Sequence, residues 1–247
     1  MRTTAMRNAL ITGAAARLGR AIARDLHRDH RVIIHYRNSA DAARELADEL
    51  NGIRPDSAAA LQSDLGAVAD CEKLAREATD LWGGIQVLIN NASAFYPTPI
   101  GEANENAWDE LIGSNLKAPF FLSQALAPSL SENGGCIVNM ADIHAERPMP
   151  GHTIYCAAKA GLVMLTKSLA LELAPAVRVN AVAPGAILWP EQEEVDTETQ
   201  RAIVERIPLA RTGTETDIAR TVRFLVGDPS YINGQVIAVD GGRSLNI

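Results

Sequence analysis

Cysteine is scarce in this chain. Only Cys71, Cys136 and Cys156 occur in 247 residues, an odd and scattered set. No C-x-x-C pair or Cys/His cluster accompanies them, which suggests neither a disulfide framework nor a zinc site, so no metal is expected. Aromatic residues make up 4% of the chain, and its net charge of −7 leaves positive charge in deficit. That balance argues against a dedicated nucleic-acid binder, which needs basic surface to meet a phosphate backbone. No apolar run reaches the roughly 18–20 residues expected of a membrane helix. The apolar stretch after Arg2 and Arg7 runs straight into a glycine turn, so no signal peptide is read. The expectation is a soluble, cytoplasmic protein.

What is abundant is short apolar segments. Hydrophobic residues account for 47% of the chain, enough for a sizeable core. Strands are expected at Ala9–Ile11, Arg31–Tyr36, Ala58–Gln62, Gln86–Asn90, Cys136–Met140, Arg178–Val182 and Gln235–Val239. Runs such as "VIIH", "VLIN" and "CIVN" are almost continuously apolar, as strands buried on both faces of a parallel sheet are. Helices are expected at Arg20–Arg28, Asp41–Leu50, Ala67–Leu81, Glu105–Leu130, Ile154–Leu173, Glu198–Arg206 and Glu215–Leu225, with Pro175 closing the fifth. This alternation predicts a single-domain α/β Rossmann fold over residues 1–247, with a doubly wound, parallel, seven-stranded sheet and helices on both faces. The segment Ile187–Glu205 is acidic and proline-interrupted, and reads equally as a substrate lid or a solvated loop.

The first strand leads into "TGAAARLGR". Gly13 and Gly19 allow close backbone approach, and the helix that follows presents free N–H groups to a pyrophosphate. The spacing is not G-x-G-x-x-G; the position after the first strand carries the argument. At the end of the second strand stand His35, Arg37, Asn38 and Ser39, with no acid before Asp41. An acid there would suit the 2′-hydroxyl of NAD, whereas basic and hydroxyl groups suit the 2′-phosphate of NADP(H). Asp64 after the third strand either meets the adenine amino group or caps the next helix. Asn90–Ser93 after the fourth either admits a cofactor closely or forms an Asx turn.

Tyr155 and Lys159 lie four residues apart on a predicted helix and so share one face. A free tyrosine titrates at about 10; a nearby ammonium is expected to favour phenolate by ~1–3 units and bring it toward proton-transfer range. His144 and His152 flank this region without metal spacing and are expected in loop or surface roles. Cys156 is expected as a small buried residue.

With "TGAAARLG", "NNAS", Asn115 in "GSNLKAPFFL", "YCAAK", "VRVNAVAPG" and "VDGG", the chain resembles the short-chain dehydrogenase/reductases over essentially its full length. The resemblance implies a catalytic set of Asn115, Tyr155 and Lys159, with Asp142 where the family has serine and Trp189 where many members have threonine. It also brings Leu18, Tyr36, Leu65, Asn91, Ala92, Pro184 and Gly185 to the cofactor. "HYRNSADAA", "NNASAFYPTP", "GHTIYCAAKAGL", "LALELAP" and "VDGGRSL" are similar to the pteridine reductases within that family, as are Arg17 in the turn and Asp142. That likeness implies NADPH-dependent reduction of a pterin, with oxidised pterin or folate as further substrates. In it, Ser93 and Phe95 hold the flat ring, Arg17 bridges cofactor phosphate and pterin, and Asp142 acts with Tyr155 in protonating a ring nitrogen. Without the resemblance, Phe95 reads equally as a core aromatic, Arg17 as a surface ion-pair former and Asp142 as a cap. The alternatives are a carbonyl reductase of the same fold and a non-catalytic NADP(H)-binding sensor. A homotetramer is implied by the resemblance, "GLVMLTKSLALELA" supplying apolar surface.

Overall fold

A computed structural model describes residues 6–187, 196–227 and 231–245. Its seven strands are β1 (Arg7–Ile11), β2 (His30–Tyr36), β3 (Ala58–Gln62), β4 (Val87–Asn90), β5 (Cys136–Met140), β6 (Arg178–Pro184) and β7 (Val236–Val239). All neighbouring pairs are parallel, in the order β3-β2-β1-β4-β5-β6-β7. The order reverses between β1 and β4, and a ligand crevice opens where loops diverge at such a point. This is the Rossmann-like sheet the alternation predicts.

The two faces of the sheet are built by alternation. Ala9 and Ile11, Val32 and Ile34, and Val87 and Ile89 point to one side, while Leu10, Ile33 and Leu88 between them point to the other. The first side is covered by α1 (Arg17–Leu26), α2 (Ala40–Ile53) and α8 (Glu215–Val226) through Ile22, Leu26, Leu46, Leu50 and Val222. The second is covered by α3 (Val68–Trp82), α5 (Ala118–Glu132) and α6 (Thr153–Glu172) through Leu74, Leu122, Leu126 and Leu169. Helix ends are set locally. Thr214 and Asp217 form a reciprocal capping box at the start of α8. Gly83, at φ 74°, ends α3 in the left-handed conformation.

Two expectations change here. The single helix expected over Glu105–Leu130 is α4 (Glu105–Ile112), one π-helical turn at Gly113–Lys117, and α5. Apolar periodicity is blind to a one-residue widening of the ladder. Second, α6 does have the length and apolar character to cross a membrane, with mean hydropathy 1.4 over its best window. It carries Tyr155 and Lys159, and 56% of that window is buried inside the fold, as befits a core helix. The helix expected at Glu198–Arg206 is α7 (Thr197–Glu205), capped by Asp196, at the end of the segment read as a lid or a solvated loop. The positions between Ile187 and Asp196, Trp189 among them, lie outside the described residues.

Thr12 ties the two sides of the crevice together. Its buried Oγ accepts from the backbone N–H of Asn91 and of Ala92, both at 2.9 Å, and donates to Ile89 O at 3.3 Å. Thr12→Val should therefore strand two N–H groups and cost about 1–3 kcal/mol. Urea unfolding checks this, with the loss expected in the midpoint at an unchanged slope.

Candidate active site

The crevice begins with the turn after β1. A Cβ at Gly19 would collide with Gly13 O and lie 2.7 Å from Asn91 Nδ2 and 2.8 Å from Ala14 Cα, so only glycine fits. Asn91 braces the same turn by donating to Thr12 O at 2.8 Å and Gly13 O at 3.2 Å. The first residue before α1 is Ala16, which offers no side-chain cap, and the first turn carries no acid. The free N–H groups of α1 are thus left for an anion. Leu18 packs on the core beneath. Arg17 is exposed and sits at φ 51°, a left-handed conformation that favours glycine.

Of the groups expected around a 2′-phosphate, Arg37, Asn38 and Ser39 are exposed at the end of β2. Arg37 has a long ion pair, 3.8 Å, with Glu110, and the Ser39 hydroxyl makes no capping bond to α2. His35 is different. Its ring is turned inward, where Nδ1 accepts from Gly13 N–H at 3.1 Å and Nε2 donates to Ser63 O at 3.1 Å. Burial pushes its pKa down to about 4, so the ring is neutral and acts as a strut beneath the turn. Tyr36 lies partly buried against the core, and its carbonyl accepts from Ser63 N–H. Asp64 does not cap α3, whose first flanking residue is Ala67. It stays exposed, with Oδ1 accepting from Gly66 N–H in an Asx turn, while Leu65 anchors the loop in the core. On the far side, Pro184 ends β6, and a Cβ on Gly185 would lie 2.6 Å from that of Asp240.

The carboxyl end of β5 brings the catalytic candidates together. Tyr155 Oη donates to Asp142 Oδ2 at 2.7 Å, and the other carboxylate oxygen accepts from His144 N–H at 2.8 Å. Asp142 is thus both a cap and a partner of the tyrosine. Lys159 is buried, donates to Met140 O at 2.7 Å and lies 5.6 Å from the Tyr155 ring centre. β5 is held in register from beneath by Asn90 Nδ2 donating to Asn139 Oδ1 and Asn139 Nδ2 donating to Thr166 Oγ, at 2.8 and 2.9 Å. Asn115 sits in the π turn, accepts from Ser93 Oγ at 2.7 Å, and donates to Ala94 O and Leu111 O. Among the described residues, none of its hydrogen bonds reaches Tyr155 or Lys159.

The electrostatics reverse one expectation. Burial, then the charge of Asp142 and the hydrogen bond to it, push the Tyr155 phenol well above its ordinary value. Lys159 was expected to favour phenolate, but its own burial pushes it down to about 8, and its ammonium is committed to Met140. Burial and the carboxylate at 2.7 Å together prevail, and Tyr155 is held as a neutral donor.

Phe95 is 48% exposed, so it is not a core aromatic. It meets Tyr155 edge-on at 4.9 Å and stacks on His152 at 4.8 Å and 16°. The sequence reading assigned His152 a plain loop or surface role. The available signal was its position three residues before Tyr155, immediately ahead of α6. Cys156 is buried, as expected, and accepts from Met149 N–H.

A family model described as "Enoyl-(Acyl carrier protein) reductase" matches residues 13–244. The chain belongs to the short-chain dehydrogenase/reductase family. As a member of it, this oxidoreductase is 36% identical over 240 residues to a 3-oxoacyl-[acyl-carrier-protein] reductase FabG of Staphylococcus aureus, covering 96% of this chain and 97% of the relative. It is 38% identical over 279 aligned positions to Pteridine reductase 1 of Leishmania tarentolae, covering 96% of each. It is also 36% identical over 242 residues to the (2S)-[(R)-hydroxy(phenyl)methyl]succinyl-CoA dehydrogenase subunit BbsD of Thauera aromatica, covering 97% of each. Overall identity therefore leaves the substrate open, and the decision rests on the site.

Asp142→Asn removes the charge facing this dehydrogenase/reductase's Tyr155 but leaves it buried. Its phenol should then titrate at lower pH than in the wild type. Ultraviolet difference titration of phenolate checks this; an unmoved curve would mean burial alone holds the proton.

Proposed function

We propose that this protein is an NADPH-dependent reductase of pterins, converting a dihydropterin to a tetrahydropterin. The observation that carries this reading is the 2.7 Å hydrogen bond between Tyr155 and Asp142. A carboxylate placed there repels the oxyanion that develops when a ketone is reduced. A pterin instead presents N–H donors and ring nitrogens, which a carboxylate and a phenol can both engage. The exposed ring of Phe95 offers a flat face beside Tyr155 for a flat substrate.

The residues present fit the cofactor. The uncapped start of α1, the space kept by Gly13 and Gly19, and Arg37, Asn38 and Ser39 at a strand end that carries no acid of its own suit a dinucleotide with a 2′-phosphate. When bound, NADPH supplies the hydride, which goes to the carbon of a ring C=N unit. Tyr155 Oη then gives its proton to the ring nitrogen as negative charge develops there. A phenol with a raised pKa yields its proton only to such a strong base, so protonation follows hydride arrival rather than preceding it. The resulting phenolate faces the Asp142 carboxylate, and this repulsion drives reprotonation from solvent. Lys159 would hold the nicotinamide ribose and offset the phenolate charge, and Ser93 and Arg17 would orient the substrate from the cofactor side. Assembly as a tetramer belongs to this reading, supported by Phe120 on α5 and Met164 and Leu171 on α6, large apolar residues left exposed. Sedimentation velocity should show a tetramer.

A second reading, reduction of a 3-oxoacyl thioester, is favoured by the similarity to the S. aureus reductase. NADPH oxidation with dihydrobiopterin or dihydromonapterin, run beside ketones and 3-oxoacyl thioesters, separates the two. Pterin turnover is expected; robust ketone turnover without it would overturn the proposal. Arg17→Gly provides a further check. Relieving the left-handed arginine should raise stability by about 1 kcal/mol. Pterin reduction should nonetheless fall more than NADPH affinity does; equal losses would make Arg17 a cofactor residue only.

A further inference from the structure

Arg243 follows β7 and has no role so far. Its backbone position is fixed by a tight turn. Asp240 Oδ1 accepts from Gly242 N–H at 2.9 Å and Oδ2 from Ser244 N–H at 2.7 Å, while Arg243 N–H donates to Asp240 O at 3.2 Å. Gly241 and Gly242 have φ of 65° and 86°, and a Cβ on Gly242 would meet Pro208 Cγ at 3.0 Å. The turn presses on Gly185 at the end of β6. Arg243 is thereby delivered to the carboxyl edge of the sheet, where Asp142 and Tyr155 stand.

Its guanidinium is half-buried and, among the described residues, makes no hydrogen bond or ion pair. The two carboxylates whose charge it feels are otherwise engaged. Asp240 is bonded to its own turn, and Asp142 to Tyr155 and His144. Burial weighs most against its charge, and the charge of a second cation, Arg206, works in the same direction. A partly desolvated arginine at the carboxyl edge of the sheet, with five donors unspent among the described residues, is an arrangement that an anion completes.

We propose that Arg243 reads an anionic substituent of the substrate, a carboxylate or phosphate carried beside the ring that Tyr155 protonates. This rests on the pterin reading above and sharpens it. The preferred substrate is a pterin with a charged tail, and Arg243 sets that preference. A guanidinium fork matches both oxyanions in two parallel hydrogen bonds, and Arg206 adds field without having to touch the ligand.

The test compares kcat/KM for dihydrofolate, for the phosphate ester of a dihydropterin, and for neutral dihydrobiopterin, with wild type, Arg243→Gln and Arg243→Lys. Wild type should favour at least one anionic substrate over the neutral one; the favoured arm tells carboxylate from phosphate. Arg243→Gln should lower that ratio about tenfold or more, mainly through KM, and Arg243→Lys should restore part of it. Thermal melts and NADPH titrations accompany each variant. Equal losses on all three substrates, or a wild type that prefers the neutral pterin, would overturn the proposal. A wild type that reduces no pterin overturns the functional reading as well, and the wild-type trace alone reveals it.

Discussion

The molecule is organised around a lysine side chain kept almost entirely from water. Lys159 has its pKa lowered from 10.5 to about 8 by that burial, so its charge is carried at a standing cost. Among the described residues, one hydrogen bond, to Met140 O at the last position of β5, supports it. That carbonyl has two lone pairs, so a residue of the sheet ladder can also receive the ammonium. The carbonyl must face α6, which requires β5 and α6 to be locked together. The chain Asn90–Asn139–Thr166 provides the lock through the buried layer. Much of the central sheet can be read as support for one awkward ammonium.

The neighbouring groups share the same dry corner, and their charges are interdependent. Asp142 favours the protonated forms of both Tyr155 and Lys159. A serine in its place would leave the tyrosine's proton less firmly held. The Asp142 carboxylate thus changes the role of the helix pair from making a phenolate to guarding a phenol. His35 shows similar economy on the cofactor side, a titratable ring kept neutral so that it can hold two loops at once.

Much of this was legible in the sequence. Strand and helix positions follow from apolar runs and their punctuation, and β3 and β5 fall where the runs place them. The i, i+4 spacing of Tyr155 and Lys159 suffices to put them in one cleft. Other features were not legible for identifiable reasons. β2 is buried on both faces, so alternation could not say that His35 points inward. A neighbour's charge can be read from spacing, but its partner cannot, and Lys159 binds a backbone carbonyl that no motif announces. Phe95 and His152 come from different segments, and only the folded chain stacks them. Arg243 belongs to a recognisable ending, "VDGGRSL", yet nothing in that string shows that its guanidinium has no hydrogen-bond partner among the described residues.

The π turn at Gly113–Lys117 has a consequence for how this chain tolerates change. It holds one more residue than an α-helical turn would, so α4 and α5 are out of phase by about 100°. Deleting one residue other than Asn115 from it would restore the α-helical ladder. The same deletion would swing Asn115 away from Ser93 and rotate the buried face of α5 off the sheet. Here a locally better helix makes a worse protein, and length is under as tight a constraint as any side chain.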